Sequence, residues 1–318
     1  MRVGGLLRRF STAVAQETER AVLTKLTYPR RPPAGFQGGR IVTPTHWKKI
    51  GGIFPAEAWD GDVNKLHDEE ETVDVSVTDA RTLQMPPTLA RHGFELRQTP
   101  MPPVDLLHSD EAVREKYYAP TARLVEEATG ATEAIVFQHM RRDSLCHNKE
   151  SDGARNEATA SAHGAVQRVH ADYTVDNAPK KLRELEEAGL VPAGLVGGRR
   201  WAIVNVWRSL DAEGPITEKP LAVLDASTVA ADETFTYALV HEDQPPLVGY
   251  NNSVAVSPAH EWFYFSGMRA DEALLFFTFD GSTSPARFVF HSAIDLDGAG
   301  AARPRPRRSI ECRCLAVW

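Results

Sequence analysis

From Arg200 to the C-terminus, short runs rich in β-branched and aromatic residues follow one another, each bounded by Gly, Pro, Asp or Asn. They read RWAIVNVWRSL, PLAVLDAST, TFTYALVH, PLVGYNNSVAVS, EWFYFSGM, EALLFFTFDG, ARFVFHSAI and SIECRCLAVW. Such runs predict strands, because branched and ring side chains pack well on a pleated surface and the bounding residues make turns. Strands at this spacing predict a sandwich or barrel, the jelly roll among them, and the pattern alone does not separate these.

Upstream the pattern changes. Residues 28–104 are proline-rich and predicted irregular, except ETVDVSVTDAR (71–81), which alternates apolar and polar as a half-buried strand does. Ser109 is a good N-cap, with Asp110 and Glu111 in the first turn. A helical period then runs to Gly130, and Pro120 divides it into two helices. EAIVFQHM (133–140) predicts a short strand, HNKESDGARNEATASAHG (147–164) a loop, and APKKLRELEEAGL (178–190) a charged helix ended by Gly189. A single domain over 1–318 is expected, with an irregular and helical part (1–132) and a β core (133–318).

Composition narrows the class of protein. The 318 residues are 42% hydrophobic and 25% charged, with a net charge of −7, as in ordinary soluble proteins. An acidic whole argues against nucleic acid as a partner, since that binding rests on neutralising phosphates. No apolar run reaches the length of a membrane span. Three cysteines, Cys146, Cys312 and Cys314, form no C-x-x-C and no even framework, which favours a reducing compartment such as the cytoplasm. The N-terminal MRVGGLLRRFSTAVAQ has three arginines and no acid before Glu17, which fits either a mitochondrial presequence or a plain basic helix.

The candidate chemistry lies in an H-x-D pair. Residues i and i+2 of a strand share a face, so such a pair can aim an imidazole and a carboxylate at one ion. The spacing occurs at His108/Asp110, His170/Asp172 and His241/Asp243. Asp110 already serves a helix N-terminus, and two prolines place His241/Asp243 in a turn. His170/Asp172, in RVHADYT, opens from a small-residue loop into the β-rich half. A further histidine completes the two-His, one-carboxylate set that leaves positions open on non-haem Fe(II). His291, in RFVFHSAI, is the candidate, against its reading as a core histidine; His260, in a Ser-Pro turn, is its rival. Tyr173 and Thr174 would then neighbour the metal.

Arg307 and Ser309, two apart at the start of the last strand, can grip a carboxylate through a planar guanidinium and a hydroxyl, as the distal carboxylate of 2-oxoglutarate requires. The competing reading is a solvated basic loop with Arg303, Arg305 and Arg308. In WAIVNVWRSL, alternation sets Trp201, Ile203, Asn205 and Trp207 on one face. Asn205 is a candidate to face cosubstrate or substrate, because a buried amide needs partners. Trp207 either walls that pocket or packs in the core. Arg208 either holds a substrate carboxylate or pairs with Asp211.

The order H-x-D, strands, His, R-x-S, together with GPITEKPLAVLDASTV, SPAHEWFYFSGMRADEALLFFTFDG, FVFHSAID and RRSIECRCLAVW, resembles the AsaB/CmcJ-like hydroxylase/desaturase family of secondary metabolism. The resemblance runs from about residue 133 to the end. It implies a double-stranded β-helix (jelly-roll, cupin-like) core with flanking helices and an Fe(II)/2-oxoglutarate-dependent dioxygenase that uses O2. It also implies iron on His170, Asp172 and His291, and 2-oxoglutarate on Arg307 and Ser309. Asn205 and Trp207 are added as cosubstrate candidates, Arg208 and Tyr173 as substrate candidates. Two departures stand out: His291-Ser-Ala-Ile where the family often has His-Thr-Ala-Phe, and Arg307-Arg-Ser where it often has Arg-Glu-Ser. The expected reaction is hydroxylation, desaturation or oxidative cyclisation of a small natural-product or amino-acid-derived molecule, with succinate and CO2 released. The alternatives are an iron oxidase independent of 2-oxoglutarate and a non-catalytic jelly-roll binding module.

Overall fold

A computed structural model describes residues 20–31, 70–101, 106, 109–143, 164–240, 248–283, 287–296 and 305–318. The arginine-bearing N-terminus, His108, Cys146, His241/Asp243 and all of the 147–164 loop except Gly164 lie outside the described residues.

The strands are β1 (Ala21–Pro29), β2 (Glu70–Asp79), β3 (Phe94–Gln98), β4 (Glu133–Asp143), β5 (Trp201–Ser209), β6 (Leu221–Leu224), β7 (Thr234–Val240), β8 (Val248–Val254), β9 (Trp262–Tyr264), β10 (Glu272–Asp280), β11 (His291–Ala293) and β12 (Arg308–Val317). The helices are α1 (Leu89–His92), α2 (Asp110–Lys116), α3 (Tyr118–Thr129) and α4 (Asn177–Glu187). One sheet has the order β1-β2-β9-β6-β11, the second β3-β10-β5-β12-β4, and β7 and β8 form a separate hairpin. This is the mainly β, jelly-roll arrangement expected.

The first part of the chain departs from its expected irregularity. β2 forms where the alternation of 71–81 predicts a strand and lies parallel to β9, but β1 and β3 also join the two large sheets. Alternation in AVLTKLTYP is the physical reason for β1: Leu26 and Tyr28 turn inward while Leu23 and Lys25 face water. The helical segment breaks as expected, but at Tyr117, three residues ahead of Pro120. Pro120 sits in the first turn of α3, where its missing N–H costs nothing.

The sheets bury two apolar clusters between them, one around Leu26, Tyr28, Trp262, Ile203 and Phe279 and the other around Trp207 and Phe263. Phe94, Trp207, Leu274 and Phe276 of the second sheet meet Leu221, Val223 and Phe263 of the first, and the rings of Phe94 and Phe263 lie 5.8 Å apart. The outer face of the second sheet carries Val204, Val206, Leu275, Ile310, Cys312 and Cys314, covered by Val113, Tyr117 and Val125 of α2 and α3. Both described cysteines are free, buried and on one face, as their spacing predicts. No described helix is long and apolar enough to cross a membrane.

Candidate metal centre

The expected strand edge at RVHADYT is not a continuous strand. The stretch is held by single bridges, from Arg168 to Thr27, His170 to His291 and Ala171 to Asn252. The middle bridge matters most, because it exchanges His170 N–H to His291 O (3.2 Å) and His291 N–H to His170 O (2.9 Å). Two histidines 121 positions apart become direct cross-strand neighbours, and their rings lie 4.3 Å apart. Asp172, two residues on, turns to the same point. Ligand atoms of His170, Asp172 and His291 lie within 4.8 Å of one another, and His170 Nε2 is 3.8 Å from Asp172 Oδ1.

The protonation states suit a metal. His170 Nδ1 bonds the Arg168 carbonyl at 2.7 Å and His291 Nδ1 bonds the Val289 carbonyl at 3.2 Å. A carbonyl only accepts, so each Nδ1 carries the hydrogen and, in a neutral ring, leaves Nε2 as a bare lone pair. Burial, and then His291, push the His170 pKa down to about 3, so its ring is neutral. Burial would raise the Asp172 pKa, but Arg313, His291, His170 and the Asn205 hydrogen bond outweigh it and hold the carboxyl below its usual range. Neutral imidazole and ionised carboxylate are the forms a divalent ion requires. Asn205 donates Nδ2–H to Asp172 Oδ2 at 2.8 Å, while its buried Oδ1 has no hydrogen-bond partner within the protein. Together these features fit a divalent metal at this point.

Arg307 and Ser309 are both buried; Arg307 lines the cavity of the triad, and Ser309 is not among its lining residues. Arg307 is buried, unlike its neighbours Arg305, which pairs with Asp211 at 2.9 Å, and Arg308, at the start of β12, whose exposed side chain pairs with Asp143 at 3.2 Å. The Arg307 guanidinium lies 5.6 Å from the Trp207 ring centre and donates to the Lys219 carbonyl at 2.5 Å. Lys219 has φ +48°, and no other described residue except glycine has a positive φ. Backbone held there costs on the order of 1–3 kcal/mol, and it lies where the arginine is anchored. Burial, and then Arg142, lower the Arg307 pKa to about 9, which still leaves it cationic at neutral pH. Trp207 packs in the core and lines a small cavity shared with His170, Asp172, His291, Arg307, Arg142 and Glu311.

The other candidates take different places around this point. Arg208 projects from the opposite face of β5. Its Nη1 reaches the carbonyls of Thr99 (3.2 Å), Pro100 (3.1 Å) and Ala270 (3.3 Å); it does not line the cavity of the triad, and Asp211 pairs with Arg305 instead. Alternation explains this correction, since Arg208 follows Trp207 and must point the other way. Tyr173 is buried under the Arg313 guanidinium, 5.9 Å from its ring centre. Thr174 accepts from Asn177 N–H at 3.0 Å and so starts α4. His260 pairs with Glu233 at 3.0 Å, and Asp110 with His139 and Arg141, both away from the triad.

The residues missed in the sequence are Arg313, Glu311, Thr278 and Arg142. Glu311 and Arg313 continue the alternation Arg307, Ser309 on β12, so that signal was present. Thr278 is the extra residue of a bulge between Phe277 and Phe279 of β10, which alternation does not foresee.

Comparison with known proteins adds the family. The family described as Oxidoreductase/YMDC permease-like domain matches residues 54–317. "Hydroxylase/desaturase efuI" of Hormonema carpetanum is 31% identical, over 81% of this chain and 88% of that protein. The chain belongs to the hydroxylase/desaturase family of Fe(II)/2-oxoglutarate-dependent oxygenases. "Hydroxylase/desaturase CTB9" of Cercospora beticola is also 31% identical, over 82% of this chain and 81% of its own. Among solved structures, the iron and alpha-ketoglutarate-dependent endoperoxidase NvfI superposes with a TM-score of 0.68. At 21% identity it covers 94% of this chain and 98% of its own, and it supports the jelly-roll fold of this family member.

Proposed function

We propose that this oxygenase binds Fe(II) through His170, Asp172 and His291, and 2-oxoglutarate through Arg307 and Ser309. The observation that carries the reading is the convergence of the three ligands within 4.8 Å, with both Nδ1 atoms turned to backbone carbonyls, in one cavity with Arg307. Bound iron, 2-oxoglutarate and dioxygen supply the oxidising chemistry, with succinate and CO2 as co-products. The protein's own part is orientation. The Arg168 and Val289 carbonyls set both Nε2 atoms, Asn205 and Thr278 set the carboxylate, and Arg307 supplies the fork for a carboxylate. The shared cavity is about 20 Å³, room for little more than a water molecule. Cosubstrate entry therefore moves a wall, and Arg307 exchanges the Lys219 carbonyl for a charged acceptor.

A larger cavity of about 550 Å³ contains none of the ligands but adjoins them along the chain. Val175 and Asp176 follow Asp172, and Phe290 precedes His291. Its mixed lining, with Phe235, Phe288 and Phe290 beside Ser227 and Thr236, suits a small organic substrate. The cysteine usage favours a reducing compartment, the cytoplasm, and the whole chain is read as one oxygenase domain. The test is succinate release from 2-oxoglutarate under Fe(II) and O2 across a panel of small molecules. His170→Ala or His291→Ala reduces release to background; full turnover in either variant sinks the ligand assignment, and turnover without 2-oxoglutarate sinks the cosubstrate.

A further inference from the structure

We propose that Arg313 is a positioning residue of the metal centre: it holds the Asp172 carboxylate so that Oδ1 is the oxygen turned to the ion. The inference rests on the reading of His170, Asp172 and His291 as ligands. The two oxygens of Asp172 have different surroundings. Oδ2 accepts from Asn205 Nδ2 at 2.8 Å and from Thr278 Oγ1 at 3.4 Å. Oδ1 faces His170 Nε2 at 3.8 Å and is gripped from behind by Arg313 Nη2 at 3.0 Å. The side chains of Arg313 and Asp172 are only 16% and 8% exposed, so water screens this pair little.

Arg313 is itself fixed on several sides. Its Nη1 donates to Gln138 Oε1 at 3.1 Å, its Nε lies 3.4 Å from Glu311 Oε1, and its guanidinium covers the Tyr173 ring. The strand register explains the reach. Arg313 of β12 stands directly opposite Asn205 of β5, so neighbouring strands deliver a guanidinium and an amide to the same carboxylate. The rigid fork matters, because a guanidinium touches Asp172 and Gln138 at once and an ammonium on a flexible stem does not. The charge also offsets the buried carboxylate before any ion arrives.

The test is Co(II) binding without cosubstrate, by titration and by the ligand-field spectrum, in wild type, Arg313→Gln, Arg313→Lys and His291→Ala. Partners that orient a metal ligand typically contribute about 10- to 100-fold in affinity, so Arg313→Gln is expected to weaken Co(II) by that factor and alter the spectrum. Arg313→Lys is expected to recover part of the loss, with an altered spectrum. The gain in melting temperature on adding Co(II) should shrink in Arg313→Gln, whereas a purely packing role lowers the melting temperature of the metal-free protein and leaves that gain intact. If Arg313→Gln does not fold, Arg313→Lys decides alone: weaker binding with a changed spectrum supports the role, and wild-type binding overturns it. Folded Arg313→Gln with wild-type affinity and spectrum, while His291→Ala loses Co(II), overturns the role of Arg313 and leaves the ligands standing. Co(II) retained in His291→Ala, or not bound by wild type, overturns both.

Discussion

The two faces of β5 and β12 use the same strands for opposite purposes. On the face under α2 and α3, Val204, Val206, Ile310, Cys312 and Cys314 pack without a polar group among them. On the other face stand Asn205, Trp207, Ser309, Glu311 and Arg313, with Arg307 just before the strand, nearly all buried and most of them polar or charged. Burying charge is costly unless each group finds a partner, and an apolar filling would be more stable. Arg208 apart, the chain gathers that cost on one face, and on that face His170, Asp172 and His291 converge. Arg208 and Arg307 show the contrast in a single residue type. Both are 2% exposed, yet Arg208 ties backbone carbonyls together behind the sheet while Arg307 fronts the cavity.

The sharpest way to break this comparison is to truncate each arginine in turn. Arg208→Ala strands carbonyls of Thr99, Pro100 and Ala270, and should cost about 3 kcal/mol of stability in urea unfolding, with 2-oxoglutarate affinity unchanged in the folded protein. Arg307→Ala should weaken 2-oxoglutarate about 10- to 100-fold, the worth of a charge-assisted hydrogen bond, with a smaller effect on stability. Swapped outcomes would mean that the faces are misassigned.

Acid should strain the site face next. The His170 pKa is about 3 in the folded chain against 6.5 as the ordinary value, so across that window the unfolded chain binds the extra proton. Stability of the metal-free protein therefore falls as pH drops from 6.5 toward 3, by on the order of 1–2 kcal/mol at pH 5 from this group. The lowered Asp172 adds to the loss at still lower pH, as its unfolded form takes up a proton. His170→Gln should flatten the slope between pH 6.5 and 5 in urea unfolding; an unchanged slope would show that His170 is not buried neutral. The smallest effect is expected at Ser309→Ala, roughly 2- to 10-fold in 2-oxoglutarate affinity, as for one neutral hydroxyl.

Much of this was legible in the chain. Strand after strand beyond Arg200 appears where alternation and turn residues place it, and alternation alone separates Asn205 and Trp207 from Arg208. The H-x-D at His170/Asp172 was singled out by its setting, although RVHADYT is fixed by single bridges to β1, β8 and β11, and no local period reports such long-range partners. Arg313 was readable as the next member of the Arg307, Ser309, Glu311 series, but side-chain period does not say which charge finds which partner. Thr278 was not readable, because its place depends on a bulge that a one-residue shift in pairing creates. β1 and β3 were obscured by the proline-rich sequence around them.

The most direct test of the central claim is anaerobic calorimetric binding of 2-oxoglutarate to the Co(II)-loaded protein. The account predicts binding that requires the metal, weakens about 10- to 100-fold in Arg307→Ala and disappears in His291→Ala. Equal binding to metal-free protein, or to Arg307→Ala, would contradict it.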